Sequence, residues 1–216
     1  MNARMTSTLA VEQLPLGPLQ TNCYLAADPA TGDAVVIDPG WDAPSILAAL
    51  AERQWRPRAV LLTHAHFDHL GAVAGVVAAT HAPFAVHPLE LPLMRQRGGA
   101  ALFGLDVPAC PEPDRLLEPG HALVAGSLSF DVLFVPGHTP GHVAFYHAPS
   151  KTVFSGDVLF QQSIGRTDLP GGDYPTLMHS IRHVLMPLPD DTTVCSGHGA
   201  LTTIGAERRD NPFLAD

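Results

Sequence analysis

The chain has 216 residues, 46% hydrophobic and 15% charged, which suits one domain (1–216) with a continuous buried core. Twelve basic against 21 acidic side chains give a formal charge of −9. Lys151 is the single lysine, which argues against nucleic acid as a partner because phosphate binding relies on clustered Lys and Arg. Cys23, Cys110 and Cys195 are odd in number and far apart, so a reducing compartment is expected rather than a disulfide framework. No apolar run suits a signal peptide or a membrane span, and the expected location is the cytoplasm, away from membranes.

The first third reads as strands and turns. LAVEQL (9–14) alternates, NCYLAA (22–27) follows, and after the TGD turn at 31–33 the run AVVID (34–38) stops at Pro39-Gly40. Residues 43–54 carry helical spacing behind Asp42, a good N-cap. AVLLT (59–63) is a short continuous apolar run, as expected of a strand buried on both faces. A small-residue helix is predicted over 69–80.

In the second half, SLSFDVLFV (127–135), HVAFYH (142–147), TVFSGD (152–157) and TTVCSG (192–197) read as strands. A helix is expected over 173–186 and a helical turn at AERRD. Strands precede helices in each half. Two mixed sheets packed together with helices outside would cover every apolar face.

The strongest signal is THAHFDHLG (63–71), with His64, His66, Asp68 and His69. It follows a predicted buried strand and opens a helix. Residues i and i+2 on extended backbone point to one side, and Asp68 and His69 face the same space as the chain turns helical. At this chain's own His and Asp frequencies, HxHxDH arises by chance in roughly 0.3% of such sequences.

Three later residues share the design. His138 lies in PGHTPGH after the strand ending near Val135, Asp157 ends TVFSGD, and His198 ends TTVCSGHG. Each is a ligand-type residue at the tip of an apolar run beside a glycine, which lets backbone turn closely around an ion. A lone histidine at a strand end is ordinarily a surface or hydrogen-bonded residue. Four tips of one form, one of them carrying HxHxDH, favour metal. Five His and two Asp exceed one tetrahedral ion and match two ions sharing Asp157. Among the other histidines, His142 alone is a candidate to orient a ligand from behind.

These residues resemble the pattern of the metallo-β-lactamase superfamily. The resemblance implies an α+β fold, an αββα sandwich, with the metal site at one edge of its two face-to-face mixed sheets. It implies one ion on His64, His66 and His138, and another on Asp68, His69 and His198, with Asp157 bridging. QTNCYL (20–25), VIDPG (36–40), SIGRTDLPGGD (163–173) and SGHGALTTIGAERRDNPFL (196–214) are similar to the single-domain, glyoxalase II-like hydrolases. That subgroup resembles hydroxyacylglutathione hydrolase without its C-terminal helical domain. With Asp216 soon after the last ligand, no such glutathione-binding domain is expected.

The implied activity is hydrolysis of a thioester such as S-lactoylglutathione, with a glutathione conjugate as the small-molecule partner. A hydroxide bridging two divalent ions, zinc first and iron or manganese next, attacks the carbonyl, and Asp68 accepts a proton as catalytic residue. Arg166 is a candidate anion contact or a brace through Asp168, and Tyr174 a candidate substrate contact. The persulfide dioxygenases, similar in fold and sharing the GRTD segment, hold one iron through counterparts of His64, His138 and Asp157. They are the alternative, and the 196–214 ending favours the hydrolases. One lysine weighs against a nuclease, and the absence of an export signal against a β-lactamase.

Overall fold

Strands that bury alternate residues on opposite faces must be covered on both sides, and this requirement sets the layers. In the computed structural model, which describes residues 8–215, the alternation is direct. Tyr24 and Ala26 join one apolar cluster while Cys23 and Leu25 join another, and Val35 and Ile37 separate from Ala34 and Val36 in the same way. Residues 1–7, on which part of the signal-peptide reading rests, lie outside the described range.

One sheet has the order β1 (Ala10–Leu16), β2 (Thr21–Ala27), β3 (Asp33–Ile37), β4 (Arg56–Leu61), β5 (Phe84–Val86), β6 (Arg115–Leu116). It is antiparallel as far as β3 and parallel from β3 onward. The other runs β7 (Ala122–Ala125), β8 (Leu128–Phe134), β9 (Val143–His147), β10 (Thr152–Gly156), then β13 (Thr193–Ser196) and β14 (Thr202–Thr203). There β10 and β13 are parallel and the other pairs antiparallel. A small hairpin of β11 (Leu159–Phe160) and β12 (Ser163–Ile164) leads away from β10.

The sheets pack face to face through Tyr24, Ile37, Leu61, Phe130, Phe145 and Phe154, with Tyr24 edge-on to Phe154 at 5.4 Å between centroids. On the outer face of the first sheet lie α1 (Ala43–Glu52) and α3 (Val73–Thr80), burying Ile46, Leu50, Val73 and Val76. On the outer face of the second lie α5 (Tyr174–Ser180), continued by a π-helical turn to Leu185, and α6 (Ile204–Asp210). This is the expected αββα sandwich. Asp42 caps α1, its carboxylate accepting from the Ser45 N–H.

Two elements differ from expectation. The strand expected over 59–63 ends at Leu61, because the Thr63 N–H donates to the Asp38 carboxylate at 2.7 Å instead of to a neighbouring strand. The helix expected over 69–80 is two: α2 (Phe67–Leu70) and α3, parted at Gly71-Ala72, where the Ala72 N–H turns to the Pro39 carbonyl at 2.9 Å. Between them and the second sheet, α4 (Leu91–Arg95) and a kinked 3₁₀ segment over 97–103 are built from pieces too short for a periodic signal.

Candidate metal centre

The strands β3, β4, β8, β10 and β13 all end at one edge of the sandwich, and the residue types singled out in the sequence follow their tips. Each sheet contributes: His64, His66, Asp68 and His69 follow β4, while His138, Asp157 and His198 follow β8, β10 and β13. The start of β2 seals the two sheets there. Asn22 donates its backbone N–H to Gly197 O at 2.7 Å and its side-chain amide to Ser196 O and Gly199 O, and Tyr24 OH reaches Ser196 O at 2.7 Å.

The structure brings all seven together. Ligand-type atoms of His64, His66 and His138 lie within 4.8 Å of one another, as do those of Asp68, His69 and His198. Asp157 stands between the groups: Oδ2 is 3.7 Å from His138 Nε2 and 3.6 Å from His198 Nε2, and Oδ1 is 3.4 Å from His69 Nε2. Asp38, His64 and His69 form a third close group. There the Asp38 carboxylate is already engaged by the Thr63 N–H and hydroxyl and by His69 Nδ1, which marks it as the group that orients His69.

Ring orientation is set one nitrogen at a time. Nδ1 of His138 donates to the Arg166 carbonyl at 2.7 Å, Nδ1 of His198 to the Leu19 carbonyl at 3.2 Å, and Nδ1 of His69 to Asp38 at 3.0 Å. The Thr63 hydroxyl spends its proton on Asp38, so His64 Nδ1 is the donor in its 3.1 Å contact with that oxygen. All four rings therefore present Nε2 to the centre, while His66 turns Nδ1 inward, 2.8 Å from His138 Nε2. His64 Nε2, His69 Nε2 and Asp157 Oδ1 are buried with no hydrogen-bond partner. Such orphaned buried polar atoms are costly unless a cation meets them, so the donor set fits metal ions.

Electrostatics point the same way. Burial, helped by neighbouring imidazoles, pushes His64 well below the ordinary histidine range and His66 down to about 3; His138 is lowered by burial too. These rings are neutral, as metal ligands must be. Burial works against His69 protonation and against Asp68 and Asp157 ionisation, but their mutual attraction wins. His69 is raised by Asp157 and Asp68, Asp68 falls to about 2, and Asp157 lies well below the carboxylate range. Without an ion the His69 proton supplies the positive charge that these carboxylates call for, and a metal ion would displace it.

His142 stacks on His64 at 4.6 Å between centroids and accepts the Asp157 N–H on Nε2 at 3.1 Å, behind the cluster. Arg166 pairs through Nε and Nη2 with both oxygens of Asp168, each at 2.7 Å, and the residue lines the cavity at the centre. Tyr174 opens α5, half exposed, and is not among the residues lining the cavities beside the centre, so the structure does not bring it to the cluster. Cys195 is buried in the intersheet core with its thiol pushed up to about 12 by burial.

Asp38 and Glu90 escaped the sequence reading as site residues. Asp38 carried a usable signal, since Asp38-Pro39-Gly40 at the tip of β3 has the same strand-end form as the ligand tips. Glu90 carried none, being one acid in an ordinary PLE step. Tight backbone packing explains the glycines. A Cβ at Gly40 would lie 1.6 Å from the Asp68 carbonyl oxygen, and one at Gly197 would lie 2.1 Å from Asp157 Oδ1.

Two sheets closing on a His/Asp cluster at their shared edge define a metallo-hydrolase sandwich, and sequence comparison agrees. The chain belongs to the metallo-beta-lactamase superfamily, whose family model matches residues 16–198. It is 41% identical over 212 residues to the hydroxyacylglutathione hydrolase GloC of Haemophilus influenzae, covering 94% of this chain and 97% of that protein. Among solved structures, the B3 metallo-beta-lactamase BLEG-1 superposes with a TM-score of 0.92 at 45% identity, over 96% of this chain and 100% of that one. TTHA1623 in a di-iron-bound form gives 0.86 at 48%, over 94% and 100%. ETHE1 from Myxococcus xanthus gives 0.78 at 30%, over 94% and 83%. Among the described residues no helix is long and apolar enough to cross a membrane.

Proposed function

We propose that this chain is a binuclear metal-dependent hydrolase that cleaves thioesters, with S-lactoylglutathione as the reference substrate. The observation that carries the reading is the placement of Asp157, within 3.7 Å of ring nitrogens from both triads, as a shared carboxylate between two ions requires. His64, His66 and His138 would hold one ion, and Asp68, His69 and His198 the other. Zinc is the first metal to test, with iron and manganese next, since N/O donor sets of this kind accept all three. When bound, the ions supply hydroxide near neutral pH and polarise the carbonyl.

The protein's own part is positioning and proton transfer. The Thr21 hydroxyl donates to Asp68 Oδ2 at 3.0 Å and aims that carboxylate, which would accept the proton of the attacking water. Thiolate leaves without strong protonation, so no separate acid is needed. The name of the GloC relative supports glutathione as carrier. The free cysteines Cys23, Cys110 and Cys195 support a reducing, cytoplasmic setting.

The likeness to ETHE1 carries a second reading, a mononuclear-iron persulfide dioxygenase on His64, His138 and Asp157. One experiment separates the two. Hydrolysis of S-lactoylglutathione that stops with chelator and returns with two ions per chain supports the hydrolase. Fully metallated protein that leaves the thioester intact but takes up oxygen with glutathione persulfide supports the dioxygenase.

A further inference from the structure

Two cavities open beside the cluster, and they differ in chemistry. The first, of about 570 Å³, is walled by Pro18, Leu19, Phe103, Leu105 and Leu169. The second, of about 500 Å³, carries Gln161 and Ser163 beside Phe160 and Ile164. Both share Asp157, Arg166 and His198. A substrate bound at the shared residues has room to extend one half into each cavity.

The apolar wall is built into the site. Leu19 holds His198 through its carbonyl, and the Phe103 ring packs on Phe67, next to His66, at 5.2 Å between centroids. Yet Leu19, Phe103 and Leu105 are 49%, 47% and 41% exposed. Large apolar side chains left open to water cost free energy that a covering apolar group recovers. The cation lining this cavity is Arg166, and its fork is already matched to Asp168. A carboxylate placed against the wall finds no unpaired guanidinium or ammonium there, and its hydration is lost against apolar side chains.

We infer that the acyl half of the thioester is an uncharged apolar group, aliphatic or aromatic and larger than lactoyl, seated against Leu19, Phe103 and Leu105. The thiol carrier then runs past Gln161 and Ser163. This rests on the thioester-hydrolase reading and narrows its substrate. The reaction balances as simple hydrolysis. Water oxygen forms the new C–O bond, the C–S bond breaks with its electron pair on sulfur, and carboxylate, thiol and one proton are released.

The test is a series of acetyl, butanoyl, hexanoyl and lactoyl thioesters of one neutral thiol, N-acetylcysteamine, with metal-loaded protein. Burial of a methylene against a half-covered wall gives about two-fold per carbon, so kcat/KM should rise at least ten-fold from acetyl to hexanoyl and exceed that for lactoyl. Dissociation constants of the matching S-alkyl thioethers, which cannot be cleaved, should follow the same slope. Leu105→Gln and Phe103→Asp should each flatten both slopes; Leu105→Gln serves should Phe103→Asp disturb the Phe67 packing. Hydrolysis with a flat series, or a slope that neither variant changes, overturns this inference alone. Absence of hydrolysis across the whole series and of S-lactoylglutathione alike overturns the thioester reading with it, and hydrolysis of S-lactoylglutathione alone overturns only this inference.

Discussion

The Glu90 carboxylate accepts the backbone N–H of Ala65, 25 residues away, at 2.7 Å. Its other oxygen accepts the Gly141 N–H, also at 2.7 Å. Ala65 lies between His64 and His66, and Gly141 follows the His138 loop, so one fully buried acid fixes two of the donor-bearing loops. In Glu90→Gln one backbone donor faces an NH₂ group. The expected cost is about 1–3 kcal/mol of stability and a fall of about 10–100-fold in metal affinity. Denaturant unfolding and chelator competition measure both, and unchanged values in both would remove Glu90 from the support of the site.

Asp157 touches both triads, so Asp157→Ala should lose both ions while His66→Ala should lose chiefly one. Elemental analysis of the purified variants decides. Full metal content in Asp157→Ala would contradict its shared role.

For Arg166 the structure separates side chain from backbone. His138 is oriented by the Arg166 carbonyl, whereas the guanidinium engages Asp168 on the surface, the pair being 54% and 68% exposed. Arg166→Ala should therefore keep metal content and lose less than about 0.5 kcal/mol of stability. A variant that binds less metal would show that the side chain braces the loop after all.

The parts of this design legible in the sequence were those with local signatures. Apolar alternation marked the strands that build the two sheets, and HxHxDH marked the centre because its donors sit on one short segment. The strand-tip residues His138, Asp157 and His198 were legible by shared form. Glu90 was not, because its role is set by two backbone donors distant in sequence, and a lone glutamate looks the same in any setting. The stretch 84–125 was opaque for another reason: strands of two to four residues and 3₁₀ turns leave no period to count. The break at Gly71 was hidden because a glycine costs a helix interior only about 1 kcal/mol, and Gly75 stands inside α3 all the same. What parts the helix is the docking of the Pro39-Gly40 backbone, whose Pro39 carbonyl takes the Ala72 N–H.

That docking is itself testable. A Cβ at Gly40 meets the Asp68 carbonyl oxygen at 1.6 Å, a backbone atom that cannot step aside without moving a donor of the centre. Gly40→Ala should cost about 3 kcal/mol or more and weaken metal binding, read by thermal unfolding with and without chelator. A variant as stable as the parent would mean that the loop yields freely.

Asp33 gives a prediction in pH. The Arg58 guanidinium, at 2.7 Å, holds its carboxylate below the usual range, assisted by the Ser127 N–H at 3.0 Å. A lowered folded-state pKa contributes stability above the ordinary carboxylate value, and that stability is lost as pH falls through the lowered one. Asp33→Asn should thus be less stable than the parent by about 1 kcal/mol near neutrality. The gap should close on acidification below the ordinary value of about 3.9. Unfolding curves at several pH values check this, and a gap that widens in acid would contradict it.

Each triad takes donors from both sheets: His64 and His66 meet His138, and Asp68 and His69 meet His198. Beside them, the isolated bridge between Thr21 and His198 closes the same edge. Bound ions would therefore act as a clasp across the seam between the two halves of the chain. Binding energy of this kind is added to global stability, and its removal should be felt at the seam before any single strand frays. Amide exchange would locate that opening at Asn22, whose N–H donates across it to the Gly197 carbonyl. Neither half of the sequence carries a complete donor set, so metal uptake reports the closing of the whole sandwich.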